Sequence, residues 1–385
     1  MTQKIIETVS DRFKKRFQTE PLLVRSPGRV NLIGEHTDYN EGFVLPAAVD
    51  RAIVFAVSPN NLDLIRILSV DMEEEIEVQN THLKKNNPQW SHYLLGVIDQ
   101  LNQQGLKVPG FDCVFGGNIP IGAGMSSSAA IEAGLAFSLN TLFEWDLAPL
   151  DLVKLSQKAE NEFVGVQCGI MDQFTNIFAE PQKVVKLDCR SLEHEYYPFE
   201  FKGVCLVLYD TRVSHSLASS EYNRRRNQCE EGVRFLKQHH PHIRSLRDIT
   251  SEMLNSSKTR MDPVLYKRCH YVVEENERLL SACRDLEIRD LESFGNKMYQ
   301  THYGLQKEYE VSCPELDFLV EYTRNQSGVL GSRMMGGGFG GCTINLIKQD
   351  ELKELNEQIS QAYSHEYKKK PGIYKVKIEK GTHVI

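Results

Sequence analysis

The chain has 385 residues, of which 41% are hydrophobic and 25% charged, with 26 Gly and 14 Pro. That is ordinary globular composition; it excludes disorder, collagen-like repeats and low-complexity fibres, and a length of this size suggests two or three domains of about 150 residues each. Lys+Arg 45 against Asp+Glu 52 leaves a net charge of −7, which argues against nucleic acid as a partner, because a phosphate-backbone binder carries a basic excess. An anionic substrate is still admissible, held by a few focused cations or a helix N-terminus.

In residues 1–20, Ile6, Val9, Phe13 and Phe17 recur at helical spacing with Asp11, Arg12, Lys14 and Lys15 between them. This is an amphipathic helix and not the apolar core of a signal segment. No apolar run approaches the roughly 18 to 20 residues that a membrane span needs, so no membrane partner is expected. The nine cysteines are scattered without a C-x-x-C pair and read as reduced thiols of a cytoplasmic protein. A monomer is the expectation for the assembly state.

Residues 22–33, 52–58, 64–70 and 111–119, rich in Val, Ile, Leu and Phe, predict strands. Trp90 to Gln104 predicts a helix, with Leu94, Val97, Ile98 and Leu101 on one face and Gly105 at its end. A second helix starts in the Ser126-Ser127-Ser128 run and reaches about Leu142, and a third covers 150–163. Strands return at 184–187 and 204–209, after which helices dominate 219–325, one of them opened by Asp262-Pro263 as N-cap and first-turn residue. A helix over 350–367 and a strand at 373–378 close the chain. No repeat or low-complexity linker marks a boundary. The change from strand-heavy to helix-heavy sequence places one near 185, giving lobes 1–185 and 186–385 of an α+β protein.

Three glycine-bearing segments carry the chemistry. In the first, Gly28-Arg29-Val30-Asn31-Leu32-Ile33-Gly34, a short strand is followed at once by Glu35, His36, Thr37, Asp38 and Tyr39. So many hydrogen-bonding side chains at a strand end suit a polyol such as a sugar; the plainer alternative is a polar turn with a helix cap. A metal site at His36 and Asp38 lacks a matching His or Cys cluster. The second segment is Gly116 to Ala129, a strand, then a Gly-rich loop, then three serines and an Ala-rich helix start. Glycines admit close approach of backbone N–H groups to a phosphate, and a helix N-terminus adds roughly half a positive charge. A Walker A loop is excluded because the chain contains no Gly-Lys dipeptide; the alternative is a flexible turn and a Ser-capped helix.

The third segment, Gly336-Gly337-Gly338-Phe339-Gly340-Gly341, matches G-x-G-x-x-G in form, but the strand-like run Thr343 to Ile347 follows it. A dinucleotide fingerprint needs a helix there, so glycine backbone packed against a neighbouring loop is the better reading. Between the second and third segments, Asp172 follows Gly169 and two apolar residues. A half-buried carboxylate in such a setting needs a partner; helix capping or an ion pair competes with a catalytic role.

Taken together and in this order, the three segments resemble the GHMP kinase superfamily, and residues 28–39 resemble the signature of its galactokinase family. Ser214 to Tyr222, followed by Arg224-Arg225-Arg226, is similar to a further segment of that family. The resemblance covers residues from about 20 to 350 and implies a two-lobed fold with the active site in the cleft between lobes. The N-terminal lobe would be similar to the ribosomal protein S5 domain 2-like fold, and the C-terminal lobe would be α+β. The activity implied is ATP-dependent phosphorylation of the anomeric hydroxyl of α-D-galactose, the first committed step of galactose catabolism.

Carried over position by position, the resemblance makes Asp172 the base and Arg29 its transition-state partner. Glu35, His36, Thr37, Asp38, Gly169 and Tyr222 would contact the sugar. Gly122, Ala123, Gly124, Met125, Ser126, Ser127 and Ser128 would wrap the triphosphate of ATP, and Ser128 with Glu160 would hold Mg2+. Met125 stands where Leu is more usual, a volume-conserving change. An arginine beside a carboxylate weakens it as a base, but a loose phosphoryl-transfer transition state, in which the proton moves late, tolerates a weak one. Proton abstraction and simple orientation of the hydroxyl therefore both stay open. The Arg224–Arg226 run reads as a solvated or ion-paired helix face. Two rival functions are a kinase of the same kind acting on N-acetylgalactosamine or arabinose, and a galactose sensor that has lost catalysis. The intact Ser127-Ser128-Ala129 run, Asp172 and Arg29 count against the sensor.

Overall fold

The computed structural model describes residues 2–80, 83, 87–213 and 218–385. The chain opens with helix α1 (Thr2–Phe17), then β1 (Leu22–Asn31), β2 (Phe43–Val44), β3 (Pro46–Pro59), β4 (Ile65–Ser69) and β5 (Glu74–Val78). Next come α2 (His92–Gln103), β6 (Phe111–Gly117), α3 (Ser127–Leu142), α4 (Pro149–Lys158), α5 (Met171–Phe178), β7 (Lys183–Asp188), β8 (His194–Pro198) and β9 (Val204–Asp210). Helices α6 (Ala218–Lys237), α7 (Ser251–Ser256), α8 (Pro263–Glu287), α9 (Leu291–Gly304) and α10 (Pro314–Arg324) follow. The chain ends with β10 (Val329–Met334), β11 (Cys342–Lys348), α11 (Leu352–Tyr367), β12 (Gly372–Val376) and β13 (His383–Val384). No helix among the described residues is long and apolar enough to cross a membrane.

The largest sheet has the strand order β13-β1-β3-β6-β4-β5 and is antiparallel except where β4 runs parallel to β6. Strand β3 is buried on both faces: Val54 and Ala56 pack with Val9 and Phe13 of α1, while Ile53, Phe55 and Val57 belong to the core shared with α2 and α3. Cover on both sides explains why 52–58 reads as a continuous apolar run and not as an alternating one. A second, antiparallel sheet, β10-β11-β9-β12, lies against α10 and α11 through Val207, Tyr209, Leu319, Ile359 and Tyr363. Around it a helical cluster from α6, α8 and the 305–316 stretch closes over Cys229, Cys269, Tyr271 and Tyr309. Asp262 caps α8 as expected, its Oδ1 accepting from the N–H groups of Val264 at 2.8 Å and Leu265 at 3.1 Å.

Residue 185 lies inside β7, which pairs with β2 and β8 in a third small sheet, so a boundary there would cut a hydrogen-bonded ladder. A division that keeps every ladder whole falls after β8. It also returns the end of the chain to the first lobe, because Ile378 bridges Val49 and β13 pairs with β1.

Candidate active site

Where β1 pairs with β3, the register shifts between Pro27 and Arg29. An irregularity of this kind re-aims the side chain beside it, and here that side chain is Arg29. Its Nε and Nη2 donate to Asp172 Oδ1 and Oδ2 at 2.6 and 2.7 Å, a bidentate pair, while Nη1 donates to the carbonyl of Gly124. Burial acts against the Arg29 charge, but Asp172 and Glu35 outweigh it and raise its pKa further. Asp172 sits in the first turn of α5 with about a quarter of its side chain exposed, against 8% for Arg29. The carboxylate therefore faces both its partner and open space.

Both residues line a cleft of about 370 Å3 that also takes in Glu35, His36, Asp38, Gly169 and Tyr222, together with the loop leading into α3. Glu35 is buried and held by three hydrogen bonds: Oε1 accepts from Arg333 Nη2 at 3.1 Å and Gly336 N–H at 2.7 Å, and Oε2 accepts from Asn31 Nδ2 at 3.2 Å. Burial raises its pKa, but the Arg333 and Arg29 charges win and hold it below the ordinary 4.5. His36 has a left-handed backbone, φ +62°, its Nδ1 is 2.7 Å from the Tyr39 hydroxyl, and burial pushes its pKa down to about 4. Its ring lies between those of Tyr222 and Tyr309, with centroids 5.2 and 4.9 Å away.

Asp38 is pushed up to about 7, first by burial and then by the neighbouring Asp172. Gly169 lies so close to it that an added Cβ would stand 2.8 Å from the Asp38 Cβ, with the carboxyl atoms nearer still. Thr37, expected at the sugar, is instead fully buried. Its hydroxyl is occupied inside the turn by the carbonyls of Gly34 at 2.9 Å and Phe43 at 2.5 Å, so it holds the turn's shape and does not face the cleft.

The phosphate-loop candidates divide in the same way. Gly122 and Gly124 through Ser128 line the cleft, whereas Ala123 is buried beneath it. Gly122 and Gly124 have φ of +75° and +74°, conformations that suit glycine, and Ser126 enters α3 at +52° with its side chain making no cap bond. The first N–H groups of α3 therefore keep their capacity for an anion. The Gly336–Gly341 stretch packs as expected: a Cβ on Gly336 would meet Gly124 Cα at 3.4 Å, and a strand, β11, follows. The same stretch also forms one wall of the cleft through Gly336–Gly338.

Beside the start of α3, Glu160 occupies a π-helical turn, Ala159–Val164, that continues from α4. The Ser128 side chain hydrogen-bonds it, Gln173 Nε2 donates to its Oε2 at 2.7 Å, and burial and then Asp172 raise its pKa. Behind it the fully buried Glu132 is pushed well above the carboxylate range by burial and by Glu160. Tyr93 of α2, on the same wall, is pushed up to about 12 by burial, Glu160 and Glu132.

Glu132, Tyr93, Gln173 and Arg333 were not anticipated. The available signal was a lone acid among alanines at 129–133 and a lone cation in the strand run 329–334. Of the Arg224–Arg226 run, Arg224 and Arg226 pair with Glu221 and Glu230 on the helix surface. Arg225 differs. It is buried and donates to the carbonyls of Tyr309 and Glu310, both at 2.7 Å, because α6 packs over that turn. Ser214–Leu217 of the last sequence segment lie outside the described residues, while Tyr222 stands on the cleft wall from α6.

Residues 11–59 match the galactokinase galactose-binding signature, residues 92–180 the GHMP kinases N terminal domain, and residues 279–365 the GHMP kinases C terminal domain. A galactokinase from Roseiflexus sp. (strain RS-1) is 39% identical over 92% of this chain and 90% of its own length. One from Thermotoga maritima is 40% identical over 92% and 99%. The crystal structure of Lactococcus lactis galactokinase complexed with galactose superposes with a TM-score of 0.95 at 33% identity, covering 99% of this chain and 100% of that one. Methanococcus jannaschii mevalonate kinase, at 18% identity and a TM-score of 0.64, shares the fold. The α+β fold, the sugar signature and the full-length relatives agree: the chain belongs to the galactokinase family, sugar kinases of the GHMP superfamily.

Proposed function

We propose that this cleft transfers the γ-phosphoryl group of ATP to the anomeric hydroxyl of α-D-galactose, with Asp172 receiving or orienting the hydroxyl proton and Arg29 stabilising the transferring group. The observation that carries the assignment is the bidentate Arg29–Asp172 pair, held in one cleft with the glycine loop and the start of α3. Phosphoryl transfer is chiefly positioning and charge neutralisation. An arginine that is itself bonded to the loop carbonyl of Gly124 ties the base to the phosphate site. Glu35, His36, Asp38, Gly169 and Tyr222 form the sugar wall; the signature match and the galactose complex of the Lactococcus lactis relative support placing galactose there.

Ser128 and Glu160 fit a magnesium ion. They offer hard oxygens of the kind Mg2+ prefers, and the Asp172 charge beside Glu160 is charge a divalent cation would offset. When bound, Mg2+ supplies neutralisation at the phosphate oxygens. The nine unpaired cysteines support a reducing, cytoplasmic setting.

The test is a coupled ADP-release assay with Mg-ATP across galactose, glucose, N-acetylgalactosamine and arabinose. Turnover is expected with galactose and close analogues such as the 2-deoxy sugar. Preference for another sugar would overturn the substrate but keep the mechanism, and binding without turnover would favour a sensor. Asp172→Ala should abolish turnover and leave the fold intact. Arg29→Ala should lower kcat more than it changes galactose affinity.

A further inference from the structure

The Arg29–Asp172 pair has a brace behind it. Asp172 and Asn176 lie four residues apart on α5 and so share one face of that helix. Asn176 is 1% exposed, and its Nδ2 donates to the carbonyl of Pro27 at 2.5 Å. That carbonyl lies at the register shift between Pro27 and Arg29, two residues before the guanidinium that reaches Asp172. Because a carbonyl can only accept, the amide orientation is determined and Oδ1 must face donors.

One hydroxyl meets that requirement and a second lies beside it. Thr382 Oγ1 donates to Oδ1, and Ser26 Oγ lies 3.0 Å from it. Each hydroxyl has one proton, so Ser26 is free to donate to the carbonyl of Ala130 on α3 at 2.7 Å while Thr382 serves the amide. The Thr382 N–H also donates to the Asn176 carbonyl at 2.7 Å, and Gly381 N–H donates to Ala179 at 2.8 Å. Ser26, Asn176 and Thr382 are all buried. The circuit Asp172–Arg29–Pro27–Asn176 thus closes on itself, with the end of the chain locked onto its corner.

We infer that Asn176, braced by Thr382, is a positioning residue that determines where the Arg29–Asp172 pair stands relative to the phosphate loop. Its amide pins the strand irregularity that aims Arg29, and its helix carries the carboxylate that Arg29 grips. Thr382, remote in sequence from every motif, thereby becomes necessary for full turnover. The inference rests on the roles proposed for Arg29 and Asp172.

The experiment compares Asn176→Ala, Thr382→Val, Thr382→Ser and Asp172→Ala in the full chain. It measures kcat per titrated active site, KM for galactose and ATP, galactose affinity by calorimetry, and Tm. Asn176→Ala and Thr382→Val should each lower kcat by about 10- to 100-fold, the scale of a sub-ångström to ångström misplacement. Both KM values and galactose affinity should stay within about threefold of the parent. Thr382→Ser, which restores the hydroxyl, should return kcat to near the parental value; failure to do so overturns the role of that hydroxyl. A merely structural brace would lower Tm and the fraction of active sites while leaving kcat per active site parental, and that result overturns the inference. Loss of turnover in Asp172→Ala with parental kcat in Asn176→Ala and Thr382→Val overturns the positioning role alone, whereas parental turnover in Asp172→Ala overturns both readings.

Discussion

Replacing Arg333 with methionine should be among the most damaging single changes available in this protein. Arg333 is fully buried on β10 and its guanidinium crosses to the end of β1. Nε donates to Leu32 O at 2.7 Å, Nη1 to Met334 O at 2.6 Å, and Nη2 to Asn31 O and to Glu35 Oε1. Methionine keeps the apolar stem and removes every donor. Breaking a buried ion pair from one side costs about 3–5 kcal/mol, and each carbonyl left without a partner adds about 1–3 kcal/mol where water cannot reach it. Against a total stability of about 5–15 kcal/mol, the variant should lose at least about 4 kcal/mol or fail to fold.

The pH dependence sharpens this prediction. The Glu35 pKa is depressed below 4.5 in the parent, with burial opposing and the Arg333 charge leading the favourable side. Its contribution is therefore fully present above that pH and is lost as the pH falls through the depressed value. Without Arg333 the leading counterweight to burial is gone, so the Glu35 pKa rises and Glu35 protonates more readily. The stability gap between parent and variant should be widest near neutrality and narrow in acid. Urea unfolding at several pH values, with equal m-values as the check on two-state behaviour, measures it, and Glu35→Gln in the variant should recover part of the loss. A loss below about 3 kcal/mol, or a gap that does not change with pH, would refute the reasoning.

Three further outcomes follow from the cleft. Gly169→Ala places a Cβ inside the Asp38 side chain and should weaken galactose binding by at least about tenfold, read by calorimetry; unchanged affinity would show that Asp38 can move aside freely. The Asp38 pKa is raised from 3.8 to about 7, so the folded protein holds a proton that the unfolded chain has released. Stability from this group therefore falls as pH rises from about 4 to about 7. Asp38→Asn should flatten that part of the Tm profile, and a profile of parental shape would contradict the assignment. Ser128→Ala should raise the Mg2+ concentration needed for half-maximal turnover, and an unchanged Mg2+ dependence would remove Ser128 from the cation site.

Local chemistry made much of the fold readable. The apolar runs of β1, β3, β4 and β6, the Asp262-Pro263 start of α8 and the glycines around α3 all use information contained within a few residues. The elements missed are short and depend on distant partners. Helix α5 has eight residues, too few to stand alone, and it forms because Phe174 and Met171 enter a core with Val44, Val153 and Leu187. Strand β13 has two residues and exists only as an addition to the edge of β1. Among the candidate site residues, Thr37 misled because its residue type suits both a sugar contact and a turn. Only the carbonyls of Gly34 and Phe43 assign it to the turn.

The sequence by itself determined the chemical inventory: a polar strand end suited to a polyol, a glycine loop and helix start suited to phosphates, and motifs whose family resemblance pointed to one acid and one arginine between them. It also determined most of the secondary structure, since periodicity and turn propensity are properties of neighbouring residues. Tertiary structure alone decided which polar groups line the cleft and which are buried behind it. Ser26 meets Asn176 across 150 positions of chain, and Arg333 meets Leu32 across 301. A buried polar side chain takes its role from the partner that satisfies it, and partners so distant come into reach only when the two sheets, the helices between them and the returning C-terminal strand close together.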